Sequence, residues 1–136
     1  MARVTAALVL FLCAHAPTAI AHHSLSGVYD SSRAVTVDGV VSAFHFVNPH
    51  PYVEVDVSDE TGTTARWRVE LDNRHELAAV GMSAATLRPG DRVVVRGSAA
   101  RDGGKSMYAR SLQRRSDGFL YEQVGTSPRV TLPRAR

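Results

Sequence analysis

Two short segments alternate residue by residue, and this alone restricts the chain to a fold built on strands. From Tyr52 to Val57, the residues Val53, Val55 and Val57 take one side, and Tyr52, Glu54 and Asp56 take the other. From Ala65 to Leu71, Trp67, Val69 and Leu71 take one side, and Arg66, Arg68 and Glu70 the other. A period of two marks a half-buried strand. Ser58-Asp59-Glu60-Thr61-Gly62 between them has hairpin-turn composition. Pairing the two strands gathers acids and arginines on one solvent face, where cross-strand ion pairs are expected. A solvated charged face therefore accounts for Glu54, Asp56 and Glu70. Trp67 falls on the inner side, so core packing is expected of it rather than ligand stacking.

The flanking segments extend the pattern. Val35 to Phe46 is rich in Val and Phe, with Gly39 inside it. A glycine within a strand marks a bulge or sharp bend, which predicts one long, curved strand. Asn48-Pro49-His50-Pro51 then interrupts pairing, because proline donates nothing to a ladder. Asn73 can cap a short helix with Glu76 at the reciprocal position, and Gly81 can end it. Further strands are expected over Arg92 to Gly97, Met107 to Gln113 and Phe119 to Val124. Residues 22–34 read as an irregular arm. Residues 126–136, with two prolines and three arginines, read as a flexible tail. The order is long bent strand, strand, strand, short helix, strand, strand. It fits a mostly β domain over residues 35–125, a small five-stranded Greek-key barrel of the OB type with one helix between strands three and four. A β-sandwich or an open meander satisfies the same order.

The first residues read as an address. Met1-Ala2-Arg3, an apolar run from Val4 to Cys13 and the Ala19-Ile20-Ala21 site form the three parts of a secretory signal, with cleavage expected between Ala21 and His22. The apolar run is short of the ~20 residues a spanning helix needs. An exported protein, periplasmic or secreted, with no membrane span after processing, is the expectation. Cys13 is the single cysteine, so residues 22–136 hold no disulfide or thiolate site. Losing Arg3 with the leader takes one from the formal charge of +3. The weak field that remains does not point to nucleic acid.

His22-His23-Ser24, Val37-Asp38-Gly39-Val40, Asn48-Pro49-His50, Val55-Asp56-Val57, Trp67-Arg68-Val69-Glu70-Leu71, Leu87-Arg88-Pro89-Gly90-Asp91 and Arg101-Asp102-Gly103 occur together here. In this combination the chain resembles a family of small exported bacterial proteins of unknown function. The resemblance spans roughly residues 22–122. It implies export and a compact β domain, and it carries no established activity or catalytic residue.

The histidines suggest one chemistry. Cleavage after Ala21 would give His22 a free α-amine, which chelates a metal together with its own imidazole. A further imidazole would complete a T-shaped, nitrogen-rich site suited to Cu(II). His50 is the first candidate for that imidazole and His45 the second, while His23 could bind through backbone nitrogen and ring. The alternatives are structural: His50 as a turn residue bonding a backbone group, His45 as a half-buried strand residue, and His75 on the surface. A second reading needs no metal. In OB-type barrels the loop after the first strand borders the ligand face. Phe44, His50, Tyr52 and Arg68 would then form an aromatic and basic patch for an anionic or sugar-like ligand.

No nucleophile motif, phosphate loop, H-E-x-x-H or zinc-spaced cysteine set is present, so no catalytic residue is assigned. The expected role is a non-enzymatic binding domain. A copper-binding periplasmic protein and a module that docks on an envelope protein through a strand edge are the alternatives.

Overall fold

Alternation dominates the computed structural model, which describes residues 25–133. The elements are α1 (Leu25–Val28), β1 (Tyr29–His45), β2 (Tyr52–Ser58), β3 (Thr64–Glu70), α2 (Arg74–Ala79), β4 (Arg92–Ala100), β5 (Ser106–Arg114), β6 (Phe119–Val124) and β7 (Ser127–Thr131). Strand β1 is long enough to serve two partners. Its first part pairs antiparallel with β4, and its last part pairs antiparallel with β2. Strand β2 pairs with β3, and β4 with β5. Parallel pairing of β3 with β5, Val69 opposite Met107, closes the ring. The circuit β1-β2-β3-β5-β4-β1 is a five-stranded OB-type barrel with α2 between β3 and β4.

The curvature of β1 has a local cause. Val40 pairs with both Asp56 and Arg92, so Gly39 stands where the strand passes from one partner to the other. A Cβ on Gly39 would lie 2.5 Å from the Asp56 carbonyl oxygen. Only a residue without a side chain lets β2 cross so closely.

The inward residues of all five strands meet in one core, in which Val41, Val53, Val55, Val69, Val93, Val95, Met107 and Leu112 are buried. Leu77 of α2, with Met82 and Leu87 after it, closes one end of the barrel. Asn73 caps that helix as expected, its Oδ1 accepting from Glu76 N at 2.9 Å. Gly81, at φ 94°, ends it. Trp67 packs partly buried against the core, with the Lys105 ammonium 5.4 Å over its ring.

Both ends depart from the sequence reading. Residues 22–34 were expected to be irregular, yet α1 and the first part of β1 lie within them. Pairing jumps from Asp30–Ala99 to Ala34–Ser98, leaving residues 31–33 as a bulge. That bulge hides the alternation by which a strand is recognised. The segment read as a tail contains β7, paired with β6 along its length. Pro128 is tolerated because β7 is an edge strand. Val130 packs against the core, and Leu132 approaches Gly81 beyond α2. Residues 1–24 lie outside the described residues, so the signal segment, the Ala21–His22 junction and His23 fall there too.

Candidate functional site

Pairing register arranges the outer face of the barrel in rows. His45, Tyr52 and Glu70 form one row across β1, β2 and β3, and Ala43, Glu54 and Arg68 form the next. Tyr52 is the centre. The His45 ring stacks on it with centroids 4.3 Å apart, and the Arg68 guanidinium lies 3.3 Å from its centroid. Such stacking both attracts a cation and fixes its plane.

The acids of this face already have partners. Arg66 takes both oxygens of Asp56, at 2.8 and 3.0 Å, and approaches Glu54 at 3.5 Å. These are the cross-strand pairs that alternation predicts, and the bond to Arg66 holds the Asp56 carboxyl below its ordinary range. Glu54 Oε1 also lies 3.4 Å from His45 Nε2, without the alignment of a hydrogen bond. Glu70 departs from the expected solvated role. It accepts from the Tyr29 hydroxyl at 2.6 Å, and His50 Nδ1 lies 3.8 Å from its other oxygen.

The proposed aromatic and basic patch is therefore only partly assembled. Tyr52 and Arg68 come together, and His45 joins them. Phe44 does not, because it pairs with buried Val53 and packs inward with Phe46. His50 acts as a clasp, its Nδ1 placed 3.1 Å from the Leu71 carbonyl that accepts its proton. Two backbone bonds reinforce the clasp, Leu71 N to Pro51 O and Arg74 N to Pro49 O. Loop 46–51 is thereby tied to the junction of β3 and α2. Among the described residues no three His, Cys, Asp or Glu side chains converge as metal ligands. His45 and His50 face separate carboxylates, and His22 and His23 lie outside the described residues. His75 is exposed on α2.

Behind this face lies a buried carboxylate. Asp72, only 4 % exposed, accepts from the Tyr108 hydroxyl, from the Tyr121 hydroxyl at 2.9 Å and from Gln123 Nε2 at 3.2 Å. Tyr108 is on the outer side of β5, where Tyr29 and Leu25 cover it. Burial, reinforced by the bond to Glu70, pushes the Tyr29 phenol up to about 12. Burial and then Asp72 push Tyr108 and Tyr121 up further.

The linkage has a definite sign. The folded chain keeps protons that the unfolded chain releases above ~10. Stability is thus fully present below that pH and falls above it, by up to about 1.4 kcal/mol per pH unit for each such phenol. In an alkaline titration, tyrosinate absorbance from these three residues is expected to rise only with the loss of β-sheet circular dichroism. Their ionisation in a still-folded protein near the ordinary phenol range would contradict this.

A model for a family of unknown function (DUF6152) matches residues 9–109. The chain belongs to this family. The match ends within β5, so the β6–β7 hairpin of this DUF6152 member lies beyond it. No curated protein matches the chain. Similar solved structures include Rim1, a mitochondrial single-stranded DNA binding protein from S. cerevisiae. It is 16% identical at a TM-score of 0.45, over 60% of this chain and 92% of that one. Another is the N-terminal domain of PriB protein from Thermoanaerobacter tencongensis, 17% identical at a TM-score of 0.39, over 60% of this chain and 94% of that one.

Sequence reasoning about this DUF6152 chain missed Tyr29, Asp72, Tyr108 and Gln123. The partners of Asp72 stand 36 to 51 positions away in sequence. One local signal was present: Asp72 sits between the last inward residue of a strand and the cap of a helix, where the chain enters the interior. Among the described residues no helix is long and apolar enough to cross a membrane.

Proposed function

We propose that this protein is an exported, non-enzymatic binding domain whose ligand surface is the outer face of β2 and β3 beside loop 46–51. The observation that carries the reading is the state of Arg68. Its guanidinium is ordered by the Tyr52 ring, yet it has no carboxylate partner among the described residues, although Arg66 beside it is fully engaged. A cation held in one plane before binding loses little further entropy when an anion arrives. The neighbouring Glu54 and Glu70 keep acceptor capacity for hydroxyl groups. Together they suit a small ligand that carries one anionic group and several hydroxyls, as a sugar acid does. The same carboxylates disfavour a polyphosphate backbone, so nucleic acid is not the proposed partner. Export is supported by the leader-like composition of residues 1–21.

Titrating the 15N-labelled protein with glucuronate, and separately with glucose and acetate, tests this. Glucuronate is expected to bind most tightly, with shifts centred on His45, Tyr52, Glu54 and Arg68. Arg68→Ala is expected to weaken it about tenfold or more, as loss of a charge-assisted bond does. The fold should persist, because an exposed cation–π contact contributes only ~0.5–1 kcal/mol. Shifts centred elsewhere, or equal affinity in Arg68→Ala, would overturn the reading.

A further inference from the structure

On the same outer side, beyond Glu70, two bulges open a cleft of about 430 Å³. That volume lies within the range of small-molecule sites. One bulge is the excursion of residues 31–33 in β1. The other is in β5, where pairing passes from Gly97–Ala109 to Arg96–Ser111 and leaves Arg110 without a ladder partner. Bulges of this kind re-aim a side chain. Arg110 is turned into the cleft, where its Nε donates to Ser98 Oγ at 3.1 Å and its Nη2 to the Ser31 carbonyl at 3.0 Å. Both acceptors are neutral. Arg66, Arg92, Arg101 and Arg114 each meet a carboxylate, and Arg110 meets none among the described residues.

The walls are fixed by the network behind them. Tyr29 is held by Glu70 and Tyr108 by Asp72, with ring centroids 5.9 Å apart. Gln123 also lines the cleft. Its Nε2 is committed to Asp72 and to the Tyr108 hydroxyl, at 3.2 and 3.1 Å, which leaves the Oε1 atom as an acceptor for a guest. An oriented cation, an amide whose Nε2 is already committed and two locked aromatic rings therefore border one space.

We propose that this cleft is a second binding site, for a small aromatic carboxylate that carries a hydroxyl or amino donor at its far end. The carboxylate would meet Arg110, the ring would lie against the cluster of Leu25, Tyr29 and Tyr108 at its cleft edge, and the donor would reach Gln123 Oε1. The site adjoins the Tyr52–Arg68 face through Glu70, which holds Tyr29, but its own polar groups are Arg110 and Gln123, so it does not rest on that reading.

The test titrates the full protein with 4-hydroxybenzoate, benzoate and methyl 4-hydroxybenzoate, with detection by NMR. The first is expected to bind most tightly, with shifts at Ser98, the Arg110 side-chain N–H and the Gln123 amide. Benzoate should be weaker for want of the donor, and the ester weaker still for want of the charge. Arg110→Gln is expected to lower the affinity for 4-hydroxybenzoate about tenfold or more, while Arg68→Ala leaves it unchanged. Spectra of both variants away from the cleft report that the barrel is intact. The proposal is overturned by a lack of response at these groups, by an ester that binds as well as the acid, or by unaltered affinity in Arg110→Gln.

Discussion

Asp72→Ala is expected to lower the unfolding free energy by about 3–5 kcal/mol, a large part of what a single domain possesses. The carboxylate gathers three donors from two strands, Tyr108 in β5 and Tyr121 and Gln123 in β6. Its removal leaves two buried hydroxyls without their acceptor and takes one of two acceptors from the Gln123 amide, and each unsatisfied donor costs about 1–3 kcal/mol. Asp72→Asn should be milder, because an amide oxygen still accepts, although its NH2 faces donors. Tyr121→Phe removes one donor together with its need and should cost about 1 kcal/mol. Urea denaturation of the four proteins gives the ordering directly. Strand β6 is also held by its antiparallel ladder with β5, so a loss below ~1 kcal/mol for Asp72→Ala would mean that water replaces the carboxylate at no cost and that the network adds nothing to that ladder. Because Tyr108 and Gln123 also border the cleft, the same variant should broaden their resonances even where the protein stays folded.

What the sequence made legible follows from how far apart the determining residues lie. Strands β2 and β3 and their turn, the cap at Asn73 and the stop at Gly81 are set by neighbours in the chain. Their patterns were readable for that reason. Tyr52 and Arg68 were picked out on the same basis, since alternation puts both on the outer face. The closure of the barrel was not legible, because it depends on Val69 meeting Met107 across α2 and the whole of β4. Phe44 was misplaced for a related reason. Pairing shifts between Val41 and Ala43, and one extra residue there exchanges inside for outside for everything that follows. The start of β1 and the edge strand β7 were hidden by a bulge and by Pro128, each of which mimics a loop. The buried acid and the phenols around it gave no local pattern at all.

Among the glycines of the described residues, Gly97→Ala should be the most damaging added methyl group. A Cβ at that position would stand 2.3 Å from the Tyr108 carbonyl oxygen, 3.0 Å from its carbonyl carbon and 3.1 Å from Met107 Sδ. Two of those atoms are backbone, so no rotamer change relieves the contact. Strands β4 and β5 would have to separate at the point where the β5 bulge begins. The cost of overpacking is typically about 1–3 kcal/mol, and a clash against backbone belongs at or above the top of that range. Gly27→Ala is the control, since a Cβ there meets nothing within 4 Å, and its stability should match the parent protein. The consequence for binding is more specific than the loss of stability. The close approach of β4 to β5 adjoins the register shift that leaves Arg110 outside the ladder and over Ser98. Moving the strands apart also moves Tyr108 away from Asp72. Gly97→Ala should therefore weaken 4-hydroxybenzoate binding even at temperatures where the variant is folded, whereas Gly39→Ala, which crowds β2 instead, should spare the cleft and disturb the Tyr52 face. Comparable loss at both sites in both variants would show that the two glycines shape the barrel as a whole rather than one wall each.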